Sequence, residues 1–296
     1  MNLRAVGEDG LLEQLLEKVT PGRGVVLGPG DDAAVVKPGK GGVLHVLKTD
    51  CLVEGIHFEK KSRPELIGWK AMARPVSDFA AMSGVPEFAL VTLIVPSNRD
   101  VAWVKQLYRG INKAARAFAV SIVGGETSSI KGPAVISMSV TGFVEKKRWA
   151  GRAGGKPGDE LFVTGRLGGS LRGRHLKFVP RLTESRWLTG NFRIHAMMDL
   201  SDGLGADLPR LARASNAGFE IDPKSLPRTS GCTIAQAISD GEDYELLFAI
   251  APTDSPLLLS RWAKKFPNVP LTRIGRLNRK SKFENRKLPR GYLHFR

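Results

Sequence analysis

The chain of 296 residues is long enough for about two domains, and its 42% hydrophobic and 25% charged residues are the mix of a folded globular protein, which excludes disordered and fibrous classes. The formal net charge of +16 is unevenly spread: residues 1–145 carry 17 Lys/Arg against 15 Asp/Glu, and residues 146–296 carry 28 against 14. A basic second half suits a polyanion (nucleic acid, an anionic membrane surface, a phosphorylated small molecule) or is simply a solvated surface in a basic proteome.

Glu8, Asp9 and Glu13 interrupt the N-terminus where an export signal would be apolar. Leu11, Leu12, Leu15, Leu16 and Val19 recur at helical spacing and predict an amphipathic helix over Glu8–Val19. A turn-rich segment, Pro21–Asp32, leads to strands at Ala33–Val36 and Val43–Thr49. Pro64 suits the first turn of a helix running to Met82, which Pro75 should kink or divide. Phe88–Val95 reads as a buried strand; extended to Pro96 it is the longest apolar run, less than half of the roughly 18 residues a membrane span needs. Asp100–Ala119 is a long amphipathic helix, and Val120–Val123 and Ala134–Val144 are strands, so the first half is α/β. The basic, glycine-rich stretch 146–158 marks a boundary, which predicts domains at 1–148 and 149–296. Beyond it come strands at Glu160–Thr164, Phe219–Asp222 and Glu245–Ile250, and helices at Leu204–Ala214, Thr233–Ser239 and Asp254–Phe266. Cys51 and Cys232 match no metal or redox spacing, so a reduced cytoplasmic protein is expected.

In so basic a chain the placement of the carboxylates is informative. Asp31-Asp32 follow a Gly-Pro-Gly turn, and Thr49-Asp50 close the next strand. Asp78 sits among Phe79, Ala80, Ala81 and Met82. Glu126 follows Gly124-Gly125, Asp199 and Asp202 flank Leu200-Ser201, and Glu242-Asp243 follow Gly241. Any one of these could cap a turn or helix. Carboxylates at strand ends beside glycines and hydroxyls also suit Mg²⁺, which takes oxygen ligands and bridges phosphates, while glycines let backbone N–H groups approach phosphate oxygens. Phosphoryl transfer needs chiefly that combination. There is no Walker-type loop, no dinucleotide-binding glycine pattern, no protein-kinase triplet and no zinc or nucleophile-elbow motif.

Gly28-Pro-Gly-Asp-Asp-Ala-Ala34, Thr49-Asp50 through His57, Val76-Ser-Asp-Phe-Ala-Ala-Met82, Gly124-Gly-Glu-Thr127, Asp199-Leu-Ser-Asp-Gly203 and Asp240-Gly-Glu-Asp-Tyr-Glu-Leu246 together resemble the thiamine-monophosphate kinase family, in that family's order and over roughly residues 1–275. The resemblance implies a two-domain α/β chain of the aminoimidazole ribonucleotide synthetase-like fold, an N-terminal sheet with helices followed by a C-terminal α/β domain. It implies phosphorylation of thiamine monophosphate by ATP with several Mg²⁺ ions, and a homodimer joined through the N-terminal sheets. It assigns Asp32, Thr49, Asp50, Asp78, Glu126, Asp199 and Asp202 to metal, Gly125, Arg152, Ser201 and Tyr108 to ATP, and His57 and Glu242 to thiamine monophosphate. The acceptor phosphate is ionised at neutral pH, so no catalytic base is expected beyond metal clamping and phosphate positioning.

The chain departs from the family pattern at several points. Glu126 stands where the family has Asp. Lys48 stands where a hydroxyl is common, and its ammonium would offer a fixed cation to ATP or the carboxylates; the alternative is a strand residue pointing to solvent. Gly168–Trp187 is short and basic, which predicts a reduced helical layer. Pro289-Arg290 replace an aromatic before Gly291-Tyr292, leaving Tyr292 or Phe295 to meet the thiamine. Two other readings stay open: a related ATP-dependent enzyme of the same superfamily acting on another small phosphorylated substrate, and a basic nucleic-acid-binding protein. Against the latter, aromatics are not interleaved with the Lys/Arg clusters.

Overall fold

The computed structural model describes residues 2–38, 43–279, 289 and 291–292. The first half builds a six-stranded sheet from β1 (Val25–Leu27), β2 (Ala34–Val36), β3 (Val43–Val53), β4 (Val85–Val95), β5 (Ser121–Ser129) and β6 (Val135–Glu145), in the order β1-β2-β3-β6-β4-β5. Neighbours are antiparallel except β4 and β5, whose parallel pairing needs a crossover, supplied by α3 (Val101–Ala117). Alternation along β3 buries Leu44, Val46 and Leu52 on the inner face and leaves His45, Leu47, Thr49 and Cys51 exposed on the outer one.

α2 (Pro64–Ala81) packs on the inner face beside α3. The two helices approach backbone to backbone. A Cβ on Gly68 would lie 2.1 Å from the Leu107 carbonyl oxygen, and one on Gly110 would lie 1.9 Å from that of Glu65. The division expected at Pro75 is absent, and α2 is one helix with Pro75 buried inside it. Proline removes one N–H, the partner of the Ala71 carbonyl, at a cost of about 3 kcal/mol. The fully buried Met72, Val76 and Phe79 around it hold the helix on course. α1 (Leu3–Leu16) starts five residues before the expected Glu8, because the Asn2 side chain accepts from the Ala5 N–H and caps it there; the helix kinks at Gly7, at φ 71°.

The second half forms a five-stranded antiparallel sheet, β8-β10-β7-β11-β9, from β7 (Glu160–Thr164), β8 (Ile194–Asp199), β9 (Gly218–Ile221), β10 (Leu246–Ile250) and β11 (Leu271–Asn278). On one face α5 (Leu204–Ala214) and α6 (Ile234–Ser239) bury Leu204, Leu208 and Ile238 against Val163, Met198 and Leu247. On the other, α4 (Leu182–Asn191) and α7 (Ser255–Lys265) bury Leu188, Leu258 and Trp262 against Phe162, Met197 and Phe248. The stretch from Gly168 to Trp187 holds two single 3₁₀ turns, at Ser170–Arg172 and Arg174–Leu176, before α4 begins.

The halves meet on α2. Phe178 and Tyr244, stacked with ring centroids 3.8 Å apart, join the first-half core, while Ala80 joins the core of Phe162, Met197 and Phe248. Among the described residues no helix is long and apolar enough to cross a membrane.

Candidate active site

Lys70, Arg74, Ser77 and Asp78 fall at i, i+4, i+7 and i+8 of α2, so a polar stripe runs along one side of a buried helix. At its C-terminal end Ser77 Oγ donates to Asp199 Oδ2 at 2.5 Å, and Asp78 Oδ1 lies 3.1 Å from the Lys48 ammonium. Asp199 ends β8, and Lys48 points inward from β3. Asp32 arrives on the turn of Gly30, which has φ 109°, and accepts from Arg152 at 2.5 Å (Nη2) and 3.1 Å (Nε). Oxygens of Asp32, Asp78 and Asp199 lie within 4.8 Å of one another.

All three carboxylates are buried, and among the described residues Asp32 Oδ2 has no hydrogen-bond partner. Burial pushes Asp78 well above the ordinary carboxylate range, against the pull of Lys48, and the Asp199 and Asp50 charges add to it. Burial and the Asp32 charge raise Asp199 to about 7, and the same two causes raise Asp31 to about 6. The chain's own cations therefore leave negative charge under-compensated. Oxygen-only donors, an orphaned carboxylate oxygen and carboxyls whose proton affinity is raised by burial fit a hard divalent cation, which Asp32, Asp78 and Asp199 would hold.

The cluster floors an open cavity of about 570 Å³, edged by Gly30, Asp31, Asp50, Arg74, Arg152 and Ser201 among others. That volume accommodates a nucleotide-sized ligand. Asp50, inward-facing two residues after Lys48, pairs with Arg74 Nε at 3.2 Å. Arg210 bridges Asp202 and the fully buried Asp207, whose other oxygen accepts the Asp202 N–H at 3.0 Å.

A smaller cavity, about 110 Å³, adjoins the first and shares Arg74, Ser201, Asp202 and Tyr244 with it; His57, Glu242 and Tyr292 are among its other walls. The fully buried Lys70 ammonium donates to both Glu242 carboxylate oxygens and to the His57 carbonyl, each at 2.7 Å. Burial draws Lys70 down to about 8 although Glu242 pulls the other way. His57 Nδ1 accepts the Val53 N–H at 3.0 Å, which in the neutral ring places the proton on Nε2. Glu242 and Tyr244 both have φ 52°, a left-handed conformation uncommon outside glycine, so the turn presenting Glu242 is a strained one.

The structure thus gathers Lys48, Asp50, Asp78, Arg152, Asp199, Ser201 and Asp202 around one cavity, with Asp32 buried beside Asp78 and Asp199, and His57, Glu242 and Tyr292 around the next. Lys48 does not follow the solvent-pointing alternative. Within one chain four residues stay apart from both cavities. Thr49 faces the outer side of β3, where its hydroxyl accepts from Ser139 at 3.3 Å. Gly125 and Glu126 lie exposed on edge strand β5; a Cβ on Gly125 would strike the Val91 carbonyl at 1.9 Å, and Glu126 Oε1 accepts the Thr127 N–H at 2.9 Å. Tyr108 packs half-buried from α3 against the first core. Phe295 lies outside the described residues. The sequence does not single out Lys70, Arg74, Asp207 or Arg210, and it assigns no role to Asp31 and Tyr244, which lie inside the quoted motifs. The signal available in the sequence is Lys70 two turns and Arg74 one turn before Asp78, inside a largely apolar helix.

Residues 30–144 match the family described as AIR synthase related protein, N-terminal domain, and residues 166–285 match its C-terminal domain. The thiamine-monophosphate kinase of Rhodopirellula baltica is 39% identical over 91% of this chain and 92% of its own length, and that of Bacillus subtilis 34% over 90% and 91%. A solved structure described as AaThiL complexed with AMPPCP and TMP superposes with a TM-score of 0.84 at 32% identity, covering 99% of each chain. With the two adjoining cavities built from the motifs that carried the resemblance, and with full-length similarity at this level, the chain belongs to the thiamine-monophosphate kinase family.

Proposed function

We propose that the protein phosphorylates thiamine monophosphate to thiamine diphosphate, with ATP in the larger cavity and the acceptor in the smaller. The observation that carries this reading is the shared wall of Arg74, Ser201, Asp202 and Tyr244, which sets the two binding spaces side by side. In the transfer the bond between the γ-phosphorus of ATP and its bridging oxygen breaks, a bond to an oxygen of the acceptor phosphate forms, and ADP leaves. The acceptor oxygen is already anionic, so the protein positions and neutralises more than it moves protons. Arg74, on both walls, is placed to hold the phosphoryl group in passage. Arg152 neutralises charge beside Asp32, and the Lys70-anchored Glu242 and His57 orient the acceptor. Mg²⁺ held by Asp32, Asp78 and Asp199, with Asp50 and Asp202 near by, supplies phosphate charge neutralisation.

We also assign domains at 1–148 and 149–296, since each half has its own sheet, and a cytoplasmic setting, since Cys51 and Cys232 are free thiols. A homodimer formed through the outer face of the first sheet would cover the exposed Leu47, Phe88, Leu90 and Val123. The roles of Gly125 and Tyr108 toward ATP, and of Thr49 and Glu126 toward metal, then belong to contacts made across that dimer. Purified protein assayed with Mg-ATP and thiamine monophosphate, with ADP release coupled to NADH oxidation, tests the reading. The expected result is ADP formation that depends on thiamine monophosphate, and its absence with intact ATP binding would refute the acceptor.

A further inference from the structure

We propose that Lys48 is a resident cation of the carboxylate cluster, its ammonium taking a position that a divalent ion would otherwise fill, so that the site loads one metal ion fewer than its carboxylates could hold. This rests on the reading of the cluster as a metal site. Lys48 emerges from the inner face of β3 with its side chain 23% exposed, and its ammonium donates to the Asp32 carbonyl oxygen at 2.9 Å and lies 3.1 Å from Asp78 Oδ1. Asp50 follows two residues later on the same face of the strand.

The other cluster carboxylates are satisfied differently. Asp199 takes a neutral hydroxyl from Ser77, and Asp32 takes Arg152 on Oδ1 while its Oδ2 has no partner among the described residues. The cluster is therefore two-sided. The side of Asp78 and the Asp32 carbonyl is filled by the ammonium, and the side of Asp32 Oδ2 and Asp199 is open to metal. A divalent ion drawn to Asp78 Oδ1 and the Asp32 carbonyl would compete for the space the ammonium occupies between those two oxygens. Two cations that close repel strongly in a buried site, so the position holds one or the other. Lysine brings its charge on the chain and sheds its hydration once, on folding, rather than at each binding event, but as a point donor it cannot impose octahedral geometry on a phosphate.

The test counts Mn²⁺, standing in for Mg²⁺, bound per chain without nucleotide, by electron paramagnetic resonance of the free ion. Lys48→Ser and Lys48→Met are expected each to bind one more equivalent than the wild type. Equal counts in all three proteins, including no binding in any, would overturn the proposal. Should neither variant fold, the wild type alone decides. Acetylation with a water-soluble active ester, read by mass spectrometry, should leave Lys48 protected with and without saturating Mg²⁺. Labelling that appears on adding Mg²⁺ would show the ion displacing the ammonium and would refute the assignment. Kinase turnover of the wild type is scored separately, so a wrong acceptor and a wrong role for Lys48 give different results.

Discussion

Lys70 shows how much depends on one buried charge. Its ammonium is saturated by three acceptors, two on Glu242 and one on His57, and it thereby ties together two loops that wall the smaller cavity. Lys70→Met leaves the Glu242 carboxylate uncompensated and free to reorient. The KM for thiamine monophosphate should rise about 10- to 100-fold while that for ATP changes less than about threefold; steady-state kinetics varying each substrate would show the split, and equal rises would mean a merely structural residue. Asp243, buried and raised to about 7, accepts from the Gly168 N–H and pairs with Arg174 at 2.6 Å. A carboxyl raised on folding costs stability fully above its folded value, and the cost fades as pH falls toward the unfolded range near 4. Wild type should therefore gain on Asp243→Asn as pH drops from about 7.5 to 5.5, by up to about 1.4 kcal/mol per unit, in urea titrations at fixed salt. A pH-independent difference would show Asp243 ionised throughout. The motif carboxylates were legible because glycine and hydroxyl neighbours mark them. Lys70 and Arg74 were not, because a charge in a helical pattern usually reaches solvent and only packing shows that these do not.

The helix pair α2–α3 is held by absence of side chains. Gly68 and Gly110 let the backbones touch, and no rotamer can relieve a methyl placed about 2 Å from a carbonyl oxygen. Gly110→Ala should cost at least about 1–3 kcal/mol, seen as a lower melting temperature, with α2 displaced and turnover lowered in the fraction that folds. Unchanged melting and kinetics would mean the helices can part freely. Strands with one exposed face, such as β3, were legible from alternation. β8, reading Ile-His-Ala-Met-Met-Asp, was not, since its buried end lies between two layers and carries no period of two. β1, of three residues, and β11, with Gly275 inside it, give equally weak signals. The helix from Pro64 was legible, but its continuity past Pro75 was not, because propensity counts the lost hydrogen bond and not the core around it.

At the scale of the molecule, the homodimer proposed through the outer face of the first sheet would bring Glu126, which lies apart from its own chain's carboxylate cluster, into the partner's site. Asp78→Asn and Glu126→Gln should each reduce turnover, the former by at least about 100-fold. Co-expressed in one cell they should form heterodimers with one intact site and recover about a quarter of wild-type activity. No recovery would place both residues in the service of the same chain's site. Sequence order could give the carboxylates but not their meeting point. Asp32, Asp78 and Asp199 come from a turn, a helix and a strand end in both halves of the chain, and only the docking of the second half onto α2 brings them together.

That docking makes α2 a ruler. In the proposed reading Lys70 marks the acceptor end and Asp78 the phosphate end, and the eight residue steps from one to the other span about 12 Å at a helical rise of about 1.5 Å each. On that reading, the spacing between the groups that hold the acceptor and those that hold the donor phosphates is thus written as a residue count in one helix, not as the setting of a hinge, while the reacting atoms themselves meet in contact between them. The loops carrying His57, Glu242 and Tyr292 can change to admit a differently shaped acceptor without altering that spacing. A single inserted residue between Lys70 and Asp78, by contrast, would swing one end about 100° around the axis and leave two well-formed pockets that no longer face each other.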